Sequence, residues 1–527
     1  MESGDLGYVD AIRSAATDTS QLASIFEGGT RTWGDLLGRA ARLAGGLRRL
    51  GVEPGDRVAV LSANSDRYME LFLAVPWAGG MITPLNPRWS IEENRYAIGD
   101  CTPKVIFVGG GVGAQALELL APNLPADRSK TPTLIWAAPT PAPDGWIAYE
   151  ALLDAPPIEP LRRQGDDLFG IFYTGGTTGR SKGVMLSHAG LVGNAQAIRD
   201  AGLFPDGCRG LVVAPLFHLA AAAVLAAIMQ AGGTAVILAA FTPDATLTAI
   251  DESAVTDAML VPTMIQMVLD DPSFDPGRLA RLKRIIYGAS PIAEATLDRM
   301  MASAPHVDFF QAYGMTEVSC AATILRPEFH LGEHRTAGRH RAAGHAIANT
   351  EVMIADDEDR PRPTGQVGEI LVRGAGFMLG YWNQPDLTAE ALRGGWMHTG
   401  DGGRIDELGL VYVVDRLKDM IVTGGENVYS GEVESALARF PGVAQCAVIG
   451  VPDERWGERV HAIVVPRPGA QVAVDEVMSH CRGLIAGYKC PKSIELRTEP
   501  LPLSAAGKVL KHVLREPYWQ GRDRNVA

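Results

Sequence analysis

The apolar positions of this chain change period as it proceeds. Between Thr32 and Val52 they recur at helical spacing and end at a glycine, which predicts a helix. Residues 55–64 (GDRVAVLSAN) read as a short apolar strand, 65–80 as a second helix, and 104–108 and 132–136 as further strands. The same alternation returns in the segments LFGIFY, AVILAAF, AMLVPTMIQMVL and KRIIYGASP, and a β-rich region is expected over residues 351–374. Short apolar strands alternating with amphipathic helices predict a layered α/β fold with buried parallel strands.

The run from Leu211 to Phe241 is apolar enough to raise a membrane span. Pro215, His218, Gln230 and the Gly232–Gly233 pair interrupt it, so it is expected to be a buried helix flanked by strands. With 527 residues, 46% of them hydrophobic, the chain exceeds one ordinary core and two or more domains are expected. The texture changes after Asp415, where RLKDMIVTGGENVYSGEVESALARF opens a compact α/β segment. The expected division is a large domain over residues 1–415, built of several subdomains, and a small one over 416–527.

A net charge of −13 disfavours nucleic acid or an anionic membrane as principal partner, without excluding an anionic nucleotide at a local site. The six cysteines form no CxxC pair, and the first twenty residues carry early acids and no apolar signal core. A reduced, cytoplasmic protein without a membrane segment is the expectation.

Candidate chemistry starts at Thr174-Gly175-Gly176-Thr177-Thr178-Gly179-Arg180-Ser181-Lys182-Gly183, following an apolar strand. Glycines let backbone amides approach and cradle an anion, the hydroxyls of Thr174, Thr177, Thr178 and Ser181 add donors, and Lys182 adds charge. The set suits a polyphosphate, although an ordinary Gly/Thr turn would look similar. It is not a Walker A loop, because Arg180 and Ser181 precede the lysine.

This segment resembles the phosphate loop of the adenylate-forming superfamily, which includes acyl-CoA synthetases, peptide-synthetase adenylation domains and luciferases. Four more blocks match that family in order: Gln311-Ala312-Tyr313-Gly314-Met315-Thr316-Glu317, Trp396–Asp401, Asp415–Asp419 with GGENVYSGEVE, and Ser504–Lys508. The resemblance covers nearly the whole chain and implies a fatty-acid or aryl-acid CoA ligase using ATP, Mg2+ and coenzyme A. It implies that Thr174, Gly175, Gly176, Thr177, Thr178, Gly179 and Lys182 hold phosphates, with Thr174 and Lys182 also serving catalysis, and that Glu317 binds magnesium. Thr316 would contact the adenylate phosphate, Asp401 the ribose, and Arg416 would be a further nucleotide contact. Gly288, Ala289 and Ser290, with Gln311, Ala312, Tyr313, Gly314 and Met315, would line the nucleotide. Lys508 would carry the adenylation step and Lys418 would be the hinge of a mobile C-terminal lid, whose Gly424, Gly425 and Glu426 serve thioester formation. Taken alone, most of these residues also admit plainer readings as turn residues, solvated charges or core aromatics. Lys511 and Arg515 are expected on the helix surface.

For the acid, His218, Val261, Met264, Gly288 and Gly314, together with Ala289, form a small and mainly apolar set that suits an uncharged alkyl or aryl tail. His218 is read as a gating residue and not a base, since a carboxylic acid with a pKa near about 4 is already ionised. Medium-chain, short branched and aromatic acids all fit. Transfer to a carrier protein, although no carrier-like module follows, and a noncatalytic nucleotide-binding module are the alternatives, with luciferase-like oxidation less favoured. A homodimer is compatible with the sequence, which selects no interface.

Overall fold

The computed structural model describes residues 6–112, 132–174, 181–416, 419–423, 426–504 and 509–520. Among these, the strands form four sheets of nine, eight, four and five strands.

The nine-stranded sheet is built on a parallel run of Arg209–Val212, Asp257–Met259, Arg284–Gly288 and Asp308–Tyr313. Its strands are apolar on both faces because both faces are covered. Ile286 and Phe310 enter the core shared with the second sheet, whereas Ile285, Tyr287 and Phe309 enter a separate core on the other side. The eight-stranded sheet repeats the device with Arg57–Leu61, Met81–Leu85 and Val105–Val108 in parallel.

Helices fill the space between these two sheets. Trp33–Arg49 starts at a Thr32–Asp35 capping box and buries Trp33, Leu36, Ala40, Leu43, Ala44 and Leu47 along one side. Leu219–Gln230 is buried almost all round, as its Ala-rich composition requires, and lies between strands Arg209–Val212 and Thr234–Ile237. The long apolar run is therefore a core helix with flanking strands, and no helix among the described residues is long and apolar enough to cross a membrane.

The four-stranded sheet is antiparallel: Thr350–Ala355, Gly368–Gly374, Met397–Ile405 and Val411–Arg416. The small C-terminal domain pairs Val443–Asp453 with Gly457–Pro466, and both sheet faces are covered again. Val448, Val460 and Ala462 pack on one side, and Ala447, Ile449 and Ile463 meet Leu514 of helix Lys511–Trp519 on the other. The molecule is thus the expected α/β fold, with a large N-terminal and a small C-terminal domain.

One buried charge ties the helical layer together. Glu70, fully buried on helix Asp66–Trp77, accepts from Arg39 Nε at 2.7 Å and the Tyr149 hydroxyl at 2.7 Å, and lies 3.0 Å from Arg31 Nε. Removing the carboxylate takes the buried partner from two guanidinium groups, leaving Arg31 with Asp66 and Arg39 with Glu150, whereas removing the phenol hydroxyl deletes one hydrogen bond. Glu70→Ala is therefore expected to cost about 1.5–3 kcal/mol and Tyr149→Phe about 1 kcal/mol. Paired urea-unfolding curves check this, and equal midpoints for the two variants would refute the ranking.

Candidate active site

The parallel strands of the nine-stranded sheet all end on the same edge, and open α/β sheets place ligands outside such carboxyl ends. The turn Pro215–His218 follows strand Arg209–Val212, and Val261 and Met264 follow Asp257–Met259. Gly288-Ala289-Ser290 closes Arg284–Gly288, and the run from Gln311 through Glu317 closes Asp308–Tyr313. Residues scattered over a hundred positions of sequence thus share one edge. Tyr287 pairs with Gln311 and Gly288 with Ala312, so the two candidate nucleotide segments are neighbours.

Two of these positions require glycine. A Cβ on Gly288 would lie 2.2 Å from the Ala312 carbonyl oxygen, and one on Gly314 would lie 1.9 Å from that of Cys320. Ala289, Ser319 and Cys320 have positive φ angles of 65°, 62° and 115°, so both turns hold backbone that a β-carbon disfavours.

The tight turn carries Glu317 inward, where it is buried. Its main-chain oxygen accepts from Met378 N at 2.8 Å, and its Oε1 accepts from the Tyr381 hydroxyl at 2.9 Å. Ser319 Oγ donates to the Gly376 carbonyl, pinning the loop before Met378 to the same turn. Across the Tyr381 ring stands Lys182, its Nζ 4.9 Å from the ring centroid. Burial, and then the Glu317 charge, raise the Tyr381 phenol well above its ordinary pKa, so it remains a donor. Tyr381 was not singled out from the sequence. The only available signal was the Gly380-Tyr381-Trp382 run, which reads equally well as an edge strand.

A second tyrosine–carboxylate pair lies at the other end of the run. Tyr313 donates its hydroxyl to Asp401 Oδ2 at 2.8 Å, and Asp401 is buried in strand Met397–Ile405. Thr399 Oγ1 accepts from the Asp401 amide at 3.1 Å. Asp401 is paired through the backbone with Arg416 on the next strand. Thr174 and Lys182 are the last paired residues of the hairpin between Leu168–Thr174 and Lys182–Ser187. The ring of His218 packs against Phe217 with centroids 4.6 Å apart, Val261 is buried, and Met264 is half-buried.

Gly175, Gly176, Thr177, Thr178, Gly179, Lys418, Gly424, Gly425, Lys508 and the Arg416 side chain lie outside the described residues. Glu426 is exposed at the start of strand Glu426–Val428.

The expectation that Lys511 and Arg515 face solvent is corrected. Lys511 Nζ lies 2.8 Å from Glu434 Oε1 and donates to Ser430 Oγ, and Arg515 lies 2.8 Å from Asp419. Burial opposes charge on Lys511, but Glu434 and then Asp415 outweigh it and raise its pKa. Asp415 also has a role that the sequence reading missed. Its Oδ2 accepts from Ser430 Oγ at 2.6 Å and from the Ser430 amide at the start of helix Ser430–Ala438.

Comparison with known proteins identifies the family. A model of the AMP-binding enzyme family matches residues 12–382, and one of the AMP-binding enzyme C-terminal domain matches residues 432–508. A feruloyl-CoA synthase of Amycolatopsis sp is 39% identical over 502 residues, covering 94% of this chain and 96% of that enzyme. A fatty acid–[acyl-carrier-protein] ligase of Streptomyces coeruleorubidus is 34% identical over 509 residues, covering 96% and 95%. The crystal structure of ATP-bound MatB from Rhodopseudomonas palustris superposes with a TM-score of 0.87 at 31% identity, covering 98% of this chain and 99% of that one. The apo form of the same protein gives 0.78. The chain therefore belongs to the AMP-binding enzyme family of the adenylate-forming superfamily, among its acid–thiol ligases.

Proposed function

We propose that this enzyme couples ATP cleavage to the joining of a monocarboxylic acid with an uncharged tail to coenzyme A, and that its preferred acids carry an aryl tail. The observation that carries the proposal is the run from Gln311 to Glu317. It bonds Asp401 through Tyr313 at one end and places Glu317 opposite Lys182 at the other. One turn thereby addresses the two ends of a nucleotide triphosphate.

In the first reaction a carboxylate oxygen attacks the α-phosphorus, a P–O bond forms, and pyrophosphate leaves with the electrons of the broken bond. Thr174, the residues from Gly175 to Gly179, and Lys182 hold the leaving phosphates. Thr316 holds the α-phosphate, and Gly288 to Ser290 with Gln311 to Met315 hold the base. Asp401 grips the ribose, and Arg416 is a further nucleotide contact. Lys508 bridges the acid's carboxylate and the α-phosphate, where negative charge builds.

The donor set suits magnesium. Glu317 is a buried oxygen ligand, and among the described residues no group of three or more His, Cys, Asp or Glu side chains could enclose a metal. This fits an ion that takes most of its oxygens from phosphates and water. When bound, Mg2+ supplies neutralisation of the triphosphate's charge.

In the second reaction the CoA thiolate attacks the acyl carbonyl and AMP departs with the electrons of its C–O bond. The C-terminal unit, 416–527, acts as a lid turning about Lys418. It withdraws Lys508 and brings Gly424, Gly425 and Glu426 to the CoA channel. No residue is assigned as base for the thiol.

An aryl acid is favoured by the Phe217–His218 ring pair, by the apolar Val261 and Met264, and by 39% identity to a feruloyl-CoA synthase. Transfer to a carrier protein is the second reading, favoured by the carrier-protein ligase among the relatives.

With a pool of aryl and alkyl acids, MgATP and CoA, mass spectrometry is expected to show aryl thioesters and equimolar AMP. Pyrophosphate release without thioester would turn the assignment to a carrier acceptor, and alkyl-only products would overturn the aryl preference. Lys508→Ala is expected to slow acid-dependent ATP–pyrophosphate exchange by about 10²–10³-fold. The same variant should still convert supplied acyl-adenylate and CoA to thioester. Equal loss in both half-reactions would reject the assigned role.

A further inference from the structure

Segment 378–382 is stitched to both halves of the phosphate end of the site. Met378 N bonds the Glu317 carbonyl at 2.8 Å, and Tyr381 pairs with Val184 on the strand that begins at Lys182. Trp382 N bonds the Gly183 carbonyl at 2.7 Å. The Tyr381 amide donates to Thr388 Oγ1 at 2.8 Å, which fixes the residue at its root. The Tyr381 ring then stands between two opposite charges. Its face meets the Lys182 ammonium, and its hydroxyl meets one oxygen of the buried Glu317 carboxylate. Packing alone would be served by phenylalanine, so a hydroxyl aimed at a buried carboxylate asks for another explanation. The phenol takes Oε1, and Oε2 is the second oxygen of that carboxylate.

We propose that Tyr381 is a positioning residue for the metal–triphosphate end of ATP. Its hydroxyl orients Glu317 so that one oxygen faces a magnesium ion, and its ring keeps Lys182 at the phosphates and out of a direct pair with that carboxylate. A buried Lys–Glu pair would neutralise both groups and leave neither for the ligand. A cation–π contact holds the ammonium while leaving its N–H donors available. The inference rests on the reading of Glu317 as the magnesium ligand.

The test measures ATP binding by calorimetry with the acid omitted, so that nothing turns over, while free Mg2+ is varied. Tyr381→Phe is expected to raise the Mg2+ concentration needed for half-maximal ATP affinity by about 10-fold, the usual effect of losing a partner behind a metal ligand. Affinity for AMP, which lacks the β- and γ-phosphates, should stay within about two-fold, since a distant site is additive with this one. Tyr381→Leu also removes the platform for Lys182 and should weaken ATP even at saturating Mg2+. A Tyr381→Phe protein with wild-type metal dependence would overturn the proposal. So would one that loses AMP and ATP affinity equally, which marks general structural damage. Glu317→Gln is measured alongside. If it leaves the metal dependence unchanged, the magnesium reading fails and takes this inference with it. If it is impaired while Tyr381→Phe is not, only the role of Tyr381 falls.

Discussion

The contact between Gly314 and the Cys320 carbonyl decides where the polar groups of this site can stand. The chain doubles back within six residues, so closely that no β-carbon fits, and Ser319 and Cys320 accept positive φ angles to complete the turn. Such backbone persists only when its surroundings over-determine it. Here the surroundings are explicit: Met378 bonds the Glu317 carbonyl, and Ser319 bonds that of Gly376. A carboxylate borne by this turn has little freedom left. Rigidity of this kind is useful where charges must be in place before the reacting phosphate arrives, because no reorganisation is then needed during the reaction.

The turn stands where it does because the strand before it belongs to a sheet buried on both faces. Phe309 and Phe310 fill different cores, so the strand can neither slip its register nor rotate. Parallel neighbours then bring Gly288–Ser290, Val261 and the Pro215–His218 turn to the same edge without any direct contact between their sequences. The packing forces thus act at a distance from the chemistry. They place strand ends, and short polar links from the antiparallel sheet and the Lys182 hairpin do the rest.

The sequence made some layers plain and hid others. Helix Trp33–Arg49, strand Arg57–Leu61 and the Ala-rich helix Leu219–Gln230 were legible because burial imposes a period on the side chains. The glycines and acids of the candidate site were nominated through their resemblance to a family, in which each block is short and contiguous. Tyr381 was not, because its partners are a lysine about two hundred residues upstream and a glutamate in the turn after a strand of a different sheet. Composition gives no trace of such a meeting. Lys511 and Arg515 were misplaced for a related reason. Charged residues on an amphipathic helix normally face water, and only the fold reveals Glu434 and Asp419 beneath them.

Those half-buried pairs bear on how the small domain holds the helix that starts at Lys511. Lys511 begins the helix three residues after Lys508, and its bonds to Glu434 and Ser430 fix that helix start to helix Ser430–Ala438. Asp415, from the strand beside Asp401's, caps that same helix through Ser430. A continuous polar chain therefore runs from the antiparallel sheet, through Asp415 and Ser430, to the residues that follow Lys508. An apolar seam in this place would be non-directional and would hold through small slides. Hydrogen bonds and ion pairs are directional, and water can replace them when they part. Turning the small domain about the segment between Asp415 and Ser430 would exchange a few such bonds for water while leaving its own two apolar cores intact. Under the proposed lid motion, two apolar cores that stay intact would let one lysine be presented and withdrawn without unfolding the unit that carries it.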